Sequence, residues 1–280
     1  MDADDFKQLT LEILWDGKHM NRFVCELRLT LFINALNKAD QRPECLAPFP
    51  YFFFDRVNKM KDIERLKQHI ASIPPLDDIK DNTQFPLLTW QLLYWIFTNP
   101  LTISALHLEE PRTVFIDRLI KETKLTDIPS NLGENVIFFK IKNHSNEDQF
   151  LQQKELHGTF FAYHGSSFEN FHSIIHRGLI SALNERSAHG FGTYLSLNYM
   201  TAFHYSSVST IWPHSRLLSP RGVRCIGIVE VVDNASITWP GLQTMTITPG
   251  NDLWSQRKKC YCCVVNRDEF MRLRYVMVVL

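Results

Sequence analysis

The feature that most constrains the fold is a change of texture near residue 123. Before it, apolar residues recur with helical spacing. Between Asn21 and Lys38, Val24, Leu27, Leu31 and Ala35 fall on one stripe, with Phe23 and Leu36 beside it, which predicts a helix. Met60–Ile73 repeats the pattern through Ile63, Leu66 and Ile70. Pro74-Pro75 ends it, because proline lacks the N–H that a helix needs. Pro86–Phe97, with Trp90, Tyr94 and Trp95, predicts a third helix stopped at Asn99-Pro100, and Arg112–Lys121 a fourth. The aromatics are core residues on this reading. The stretch Thr126–Asn135 holds Pro, Ser, Gly and Asn, a boundary composition. Beyond it, runs rich in Val, Ile, Phe and Tyr predict strands at Val136–Ile141, Thr159–Tyr163, Val223–Val232, Tyr261–Val265 and Leu273–Leu280. Helical stretches fall between them at Phe168–Arg177 and Tyr199–Val208. The expected fold is α+β: a helical domain over residues 1–125, then a domain over 126–280 with an antiparallel-biased sheet.

Of the 280 residues, 45% are hydrophobic and 21% charged, enough apolar surface to bury a core. Lysine plus arginine equals aspartate plus glutamate at 30 each. That balance argues against nucleic acid as a partner, a local patch aside. Six cysteines form no disulfide framework, and reduced thiols in a cytosolic-type compartment are expected. Cys260, Cys262 and Cys263 read either as a metal site or as small buried thiols of a strand. Cys25, Cys45 and Cys225 offer no second CxxC partner, which favours the strand. The acidic N-terminus is not a secretory signal. No apolar run approaches the ~18 residues of a membrane span. In a reduced compartment the sequons at Asn143 and Asn234 carry no meaning.

The chemistry gathers after residue 160. Phe160-Phe161-Ala162-Tyr163 is an apolar strand that delivers His164 and breaks at Gly165-Ser166. A glycine there lets backbone approach a ligand, and its N–H and C=O can pair with a flat carboxamide. The histidine offers a donor for a ribose hydroxyl, and Ser166 a second polar handle. Alone, the triplet reads equally as a strand-end turn. Gly190-Phe-Gly192-Thr-Tyr194 then hands over to a strand bearing Tyr194. It lacks the third glycine and the βαβ context of a dinucleotide fingerprint. Eleven residues later, on the next helix, Tyr205 can lie flat against an aromatic ring.

Taken together, His-Gly-Ser, G-x-G-x-Tyr, a tyrosine eleven residues on and a final apolar strand resemble the catalytic domain of the poly(ADP-ribose) polymerase family, the diphtheria-toxin-like ADP-ribosyltransferases. The stretch from His164 to Leu179 is most similar to the family's tail-anchored endoplasmic-reticulum mono-ADP-ribosyltransferase branch. The resemblance covers about residues 155–280 and implies an ADP-ribosyltransferase fold with a mostly antiparallel split sheet. It implies NAD⁺ as co-substrate and no metal. His164 would bond the adenosine ribose, Gly165 the nicotinamide amide, and Tyr205 would stack on the nicotinamide ring. Tyr194 would pack at the nicotinamide–ribose end. Asn184-Glu185-Arg186-Ser187 would line the adenine-ribose and pyrophosphate side.

Two positions depart from the polymerase pattern. Ala202 stands where polymerases carry a serine that bonds the nicotinamide amide. At the start of the last core strand, where polymerases place a glutamate, Leu273-Arg274-Tyr275-Val276 puts Tyr275. A tyrosine, with a reference pKa of about 10, is not a carboxylate base. The triad His164, Tyr194 and Tyr275 thus implies transfer of a single ADP-ribose. The resemblance further implies protein acceptors, endoplasmic-reticulum stress sensors and the chain itself among them. It implies a site on the cytosolic face of the endoplasmic-reticulum membrane, held by a C-terminal tail absent here; the chain as given would be cytoplasmic. Two rivals stay open. His172 and His176 sit at i, i+4 and could bind zinc, although Ser173 stands where a metalloprotease needs glutamate. A module that binds NAD⁺ or ADP-ribose without turnover is the other.

Overall fold

The periodic stripes become helices. The computed structural model describes all residues except 16–18, 99–101, 107–110, 129–134, 143–146, 185–187, 219–221 and 243–252. Its first half contains α1 (Ala3–Trp15), α2 (His19–Lys38), α3 (Ile63–Ala71), α4 (Leu87–Thr98) and α5 (Arg112–Thr123). α3 begins later than the predicted Met60. The Asp62 carboxylate accepts the Arg65 backbone N–H at 3.1 Å, pairing a first-turn amide that the helix leaves open. Met60–Lys61 is instead strand β2, antiparallel to β1 (Phe54–Asp55). The Asn99-Pro100 stop, the sequon at Asn143 and most of the 126–135 boundary stretch lie outside the described residues.

From Val24 to Leu36 α2 is buried on every side, because it sits between two cores. Val24, Leu27 and Leu31 join the core of the sheet. Leu29, Phe32 and Leu36 join a separate helical core with Phe53 and Trp90. The same helix makes a polar tie. Its buried Glu26 carboxylate accepts the backbone N–H groups of Arg216 and Leu217 at 3.2 and 3.1 Å and the hydroxyl of Ser215. Trp212 of that segment sits in the helical core.

The sheet is split and antiparallel throughout. Five strands run in the order β3 (Thr102–Ala105), β4 (Val136–Lys142), β9 (Met271–Val279), β7 (Arg224–Val232), β5 (Thr159–Ser166). A separate pair is made by β6 (Thr193–Leu195) and β8 (Cys263–Val265). The pair joins the β5 edge where Tyr163 and Ser196 exchange N–H···O bonds of 2.7 and 2.9 Å. This is the α+β, mostly antiparallel split sheet that the resemblance implied. The N-terminal region is helical, and it lends the sheet strand β3, which pairs with β4. α5 also packs on the sheet, through Phe115 and Leu119 against Tyr275 and Met277. α6 (Glu147–His157) and α7 (Asn170–Arg177) cover the sheet on the side of Phe150 and Phe171; α8 (Tyr199–Tyr205) packs beside β5.

Candidate active site

A cleft of about 530 Å³ opens along the free edge of β5. Strand pairing dictates what faces it. In an antiparallel strand one residue sends its N–H and C=O to the same side. Tyr163 sends both to Ser196, away from β7. Gly165, two residues on, therefore presents both groups to the same edge, beyond the point where the small sheet pairs. The missing Cβ, expected to make room for a ligand, also makes room for a neighbouring helix: a Cβ on Gly165 would run into the carbonyl oxygen of Ala202. The glycine lets the α8 backbone press against β5, and its own amide and carbonyl lie on the cleft edge.

His164 is buried, 7% exposed, at the cleft wall. Its Nδ1 lies 3.1 Å from the carbonyl oxygen of Tyr194. A carbonyl only accepts, so the proton sits on Nδ1 and the neutral ring offers an acceptor at Nε2. Burial lowers the pKa, and the bond to Tyr194 opposes this without reversing it. The remaining ring nitrogen is thus an acceptor, where the sequence suggests a donor.

Tyr194 lines the cleft from β6 and braces the loop before it. Its hydroxyl accepts the His189 N–H at 2.8 Å and donates to the Gly190 carbonyl at 2.9 Å. Gly192 closes this loop on β8 with φ +150°; a Cβ there would meet the Val265 carbonyl at 2.7 Å. The Asn184 amide donates to the Gly192 carbonyl at 3.2 Å, while Glu185, Arg186 and Ser187 lie outside the described residues. The Ser166 hydroxyl accepts from the Asn170 amide at 2.8 Å. Tyr205, at the end of α8 and 42% exposed, presents its ring to the cleft.

The edge thus brings together His164, Gly165, Ser166, Tyr194 and Tyr205, but not Tyr275. The last core strand begins at Met271, so Tyr275 lies mid-strand and two strands in from the edge. It is buried under α5, and its hydroxyl donates to the Glu122 carboxylate at 2.5 Å. Burial, then that carboxylate, push its pKa up. The tyrosine near the last strands that reaches the cleft is Tyr261. It precedes β8, lines the cleft, and donates its hydroxyl to that of Tyr205 at 3.0 Å, the rings edge-on at 69°. The signal for it was present: it heads the predicted strand that pairs with the one bearing Tyr194.

The zinc pair is spent otherwise. His172 donates from Nε2 to the Pro48 carbonyl at 3.0 Å, and His176 from Nδ1 to the His172 carbonyl at 2.7 Å. All six cysteines are buried and unpaired as disulfides. Among the described residues no cluster of three His, Cys, Asp or Glu could hold a metal.

A split antiparallel sheet with an edge glycine, a buried histidine and a tyrosine pair around one cleft is the arrangement of an ADP-ribosyltransferase domain. Comparison with known proteins agrees. The ARTD15 N-terminal domain matches residues 19–97, and the Poly(ADP-ribose) polymerase catalytic domain matches residues 122–230. The chain is 31% identical over 214 residues to the Homo sapiens "Protein mono-ADP-ribosyltransferase PARP16", covering 76% of this chain and 63% of that protein. The Mus musculus protein of the same name is 29% identical over 213 residues with the same coverage. The Homo sapiens "Protein mono-ADP-ribosyltransferase PARP8" is 29% identical over 120 residues, 32% of this chain and 14% of that protein. The match thus takes in less than two thirds of the PARP16 proteins. Residues 122–230 thus carry the catalytic domain of the poly(ADP-ribose) polymerase family.

Proposed function

We propose that the chain is an NAD⁺-dependent protein mono-ADP-ribosyltransferase. The observation that carries this is the convergence, on one cleft, of the Gly165 backbone pair, the His164 acceptor and the Tyr205 ring. These fit a dinucleotide whose carboxamide needs one donor and one acceptor and whose ring needs an aromatic face. NAD⁺ supplies an ADP-ribosyl group by breaking its nicotinamide–ribose bond, with oxocarbenium character at the ribose. Gly165 pairs with the carboxamide, Tyr205 stacks on the ring, and Tyr194 packs at the nicotinamide–ribose end. His164 accepts from a ribose hydroxyl through Nε2, and Ser166 extends that wall. Held between these groups, the dinucleotide is fixed before the bond breaks.

Transfer stops at one unit on this reading. Chain growth needs a carboxylate to polarise an incoming ribose hydroxyl, and a phenol, Tyr261, stands beside Tyr205. Glu44 is the one carboxylate among the described residues lining the cleft, and its turn is bonded to Asn170 instead. Acceptors are protein side chains, the chain itself among them. A place on the cytosolic face of the endoplasmic reticulum, with stress sensors as acceptors, is proposed on the resemblance of the His164–Leu179 stretch. Among the described residues no helix is long and apolar enough to cross a membrane.

Incubation with biotin-NAD⁺ tests the reading. Label should appear on the chain, and His164→Ala should lower it by roughly a hundredfold or more. Binding of NAD⁺ with no label on the wild type would replace the enzyme with a binding module.

A further inference from the structure

The cleft has a wall that comes from outside the catalytic domain. The helical region sends the turn Pro43–Leu46 to it, so that Arg42, Glu44 and Cys45 line the cleft together with His164 and Ser166. A short hydrogen-bond chain fixes this turn. The Cys45 thiol donates to Asn170 Oδ1 at 2.9 Å, and Asn170 Nδ2 donates to the Ser166 hydroxyl at 2.8 Å. The thiol is buried, and its pKa is pushed up to about 11, mainly by that burial. It therefore stays protonated, as a donor must. Next door, the His172–Pro48 bond fastens the same segment to α7. The turn is thus anchored at two points beside the histidine assigned to the adenosine ribose.

Charge then singles out one residue. A dinucleotide diphosphate is doubly anionic, and its recognition calls for a cation. Among the described residues lining the cleft, Arg42 is the one lysine or arginine; His164 in its wall is held neutral by burial. Glu44 on the same turn would repel the diphosphate, so Arg42 also offsets that charge.

We propose that Arg42 of the helical region binds the diphosphate of the dinucleotide, with Cys45, Asn170 and Ser166 as the positioning chain that sets it there. This rests on reading the cleft as an NAD⁺ site. The helical region is then part of the substrate site rather than only a support for the sheet.

Binding separates the two ideas without needing turnover. Calorimetric titration uses ADP-ribose, which carries the diphosphate, and benzamide, which mimics nicotinamide alone. Arg42→Ala should weaken ADP-ribose roughly ten-fold or more and leave benzamide within two-fold. Arg42→Lys should recover part of the loss. Cys45→Val, which removes the donor to Asn170, should weaken ADP-ribose roughly three-fold, and Cys45→Ser should restore it. Should Arg42→Ala not fold, Arg42→Gln serves the same comparison. Unchanged ADP-ribose affinity in a folded Arg42 variant, with the wild type binding both probes, overturns the proposal alone. A wild type that binds neither probe overturns the reading of the cleft.

Discussion

Two cavities of similar size in this molecule are built on opposite logic. One, about 530 Å³, lies along the open edge of β5. The other, about 700 Å³, lies against a face of the sheet and is lined by Lys140, Lys154, Glu230, Arg274 and Tyr275. In the second, polar groups are largely spent on one another. Glu230 accepts from Lys154 at 2.7 Å, Arg274 at 2.8 Å and Thr159 at 2.9 Å, and Tyr275 is bonded to Glu122. In the first, a backbone donor–acceptor pair, an imidazole nitrogen and a tyrosine ring are presented outward. Volume does not mark the site; directional groups facing its opening do.

The difference has measurable consequences. The largest falls on the second cavity. Burial alone would raise the pKa of Glu230, but the bonds from Lys154 and Arg274 hold it below the ordinary value, so it stays ionised. Glu230→Ala removes three hydrogen bonds, leaving Arg274 to Glu147 alone and the half-exposed Lys154 to solvent. It should cost roughly 2–3 kcal/mol of stability by urea denaturation, while benzamide still binds to the remaining folded protein.

The seam between the two regions predicts a pH effect. Burial foremost lowers the pKa of His172 to about 3 and of His176 to about 4. The unfolded chain takes up these protons near pH 6.5 and the folded chain only near the lower values. Stability is therefore full above about pH 6.5 and falls on acidification, by up to about 1.4 kcal/mol per pH unit per group. Urea midpoints between pH 7 and 4.5 check this; a flat profile would mean that the two rings are not buried neutral. The smallest effect belongs to the cleft. Ala202 lines it and touches Gly165. Ala202→Ser adds a hydroxyl for the carboxamide and should tighten benzamide by about 1 kcal/mol, roughly five-fold.

Most of this was legible in the sequence where one segment's own pattern decides its fate. α2, α4 and α7 and strands β4, β5 and β7 follow from apolar spacing within each segment. What escaped depends on partners far along the chain. β3 is four residues long and exists through its ladder with β4. α6 buries a single side chain, Phe150, so it shows no stripe. The same limit misplaced the third tyrosine. Tyr261 and Tyr275 both sit in apolar runs near the last strands; the pairing of β8 with β6 puts one at the cleft, and that of β9 with β4 and β7 puts the other under α5. The Gly165 backbone was expected at the ligand, but its missing Cβ answers to Ala202, which no local pattern shows.

The most direct test sets those two tyrosines against each other. Transfer of label from biotin-NAD⁺ should be measured beside melting temperature for Tyr261→Ala and Tyr275→Phe. Tyr261→Ala should lose at least roughly thirty-fold in transfer, about 2 kcal/mol, with its melting temperature nearly unchanged. Tyr275→Phe should keep its rate within about three-fold and melt a few degrees lower for the lost bond to Glu122. The reverse pattern, transfer lost with Tyr275→Phe and kept with Tyr261→Ala, would contradict the placement of the active site on the β5 edge.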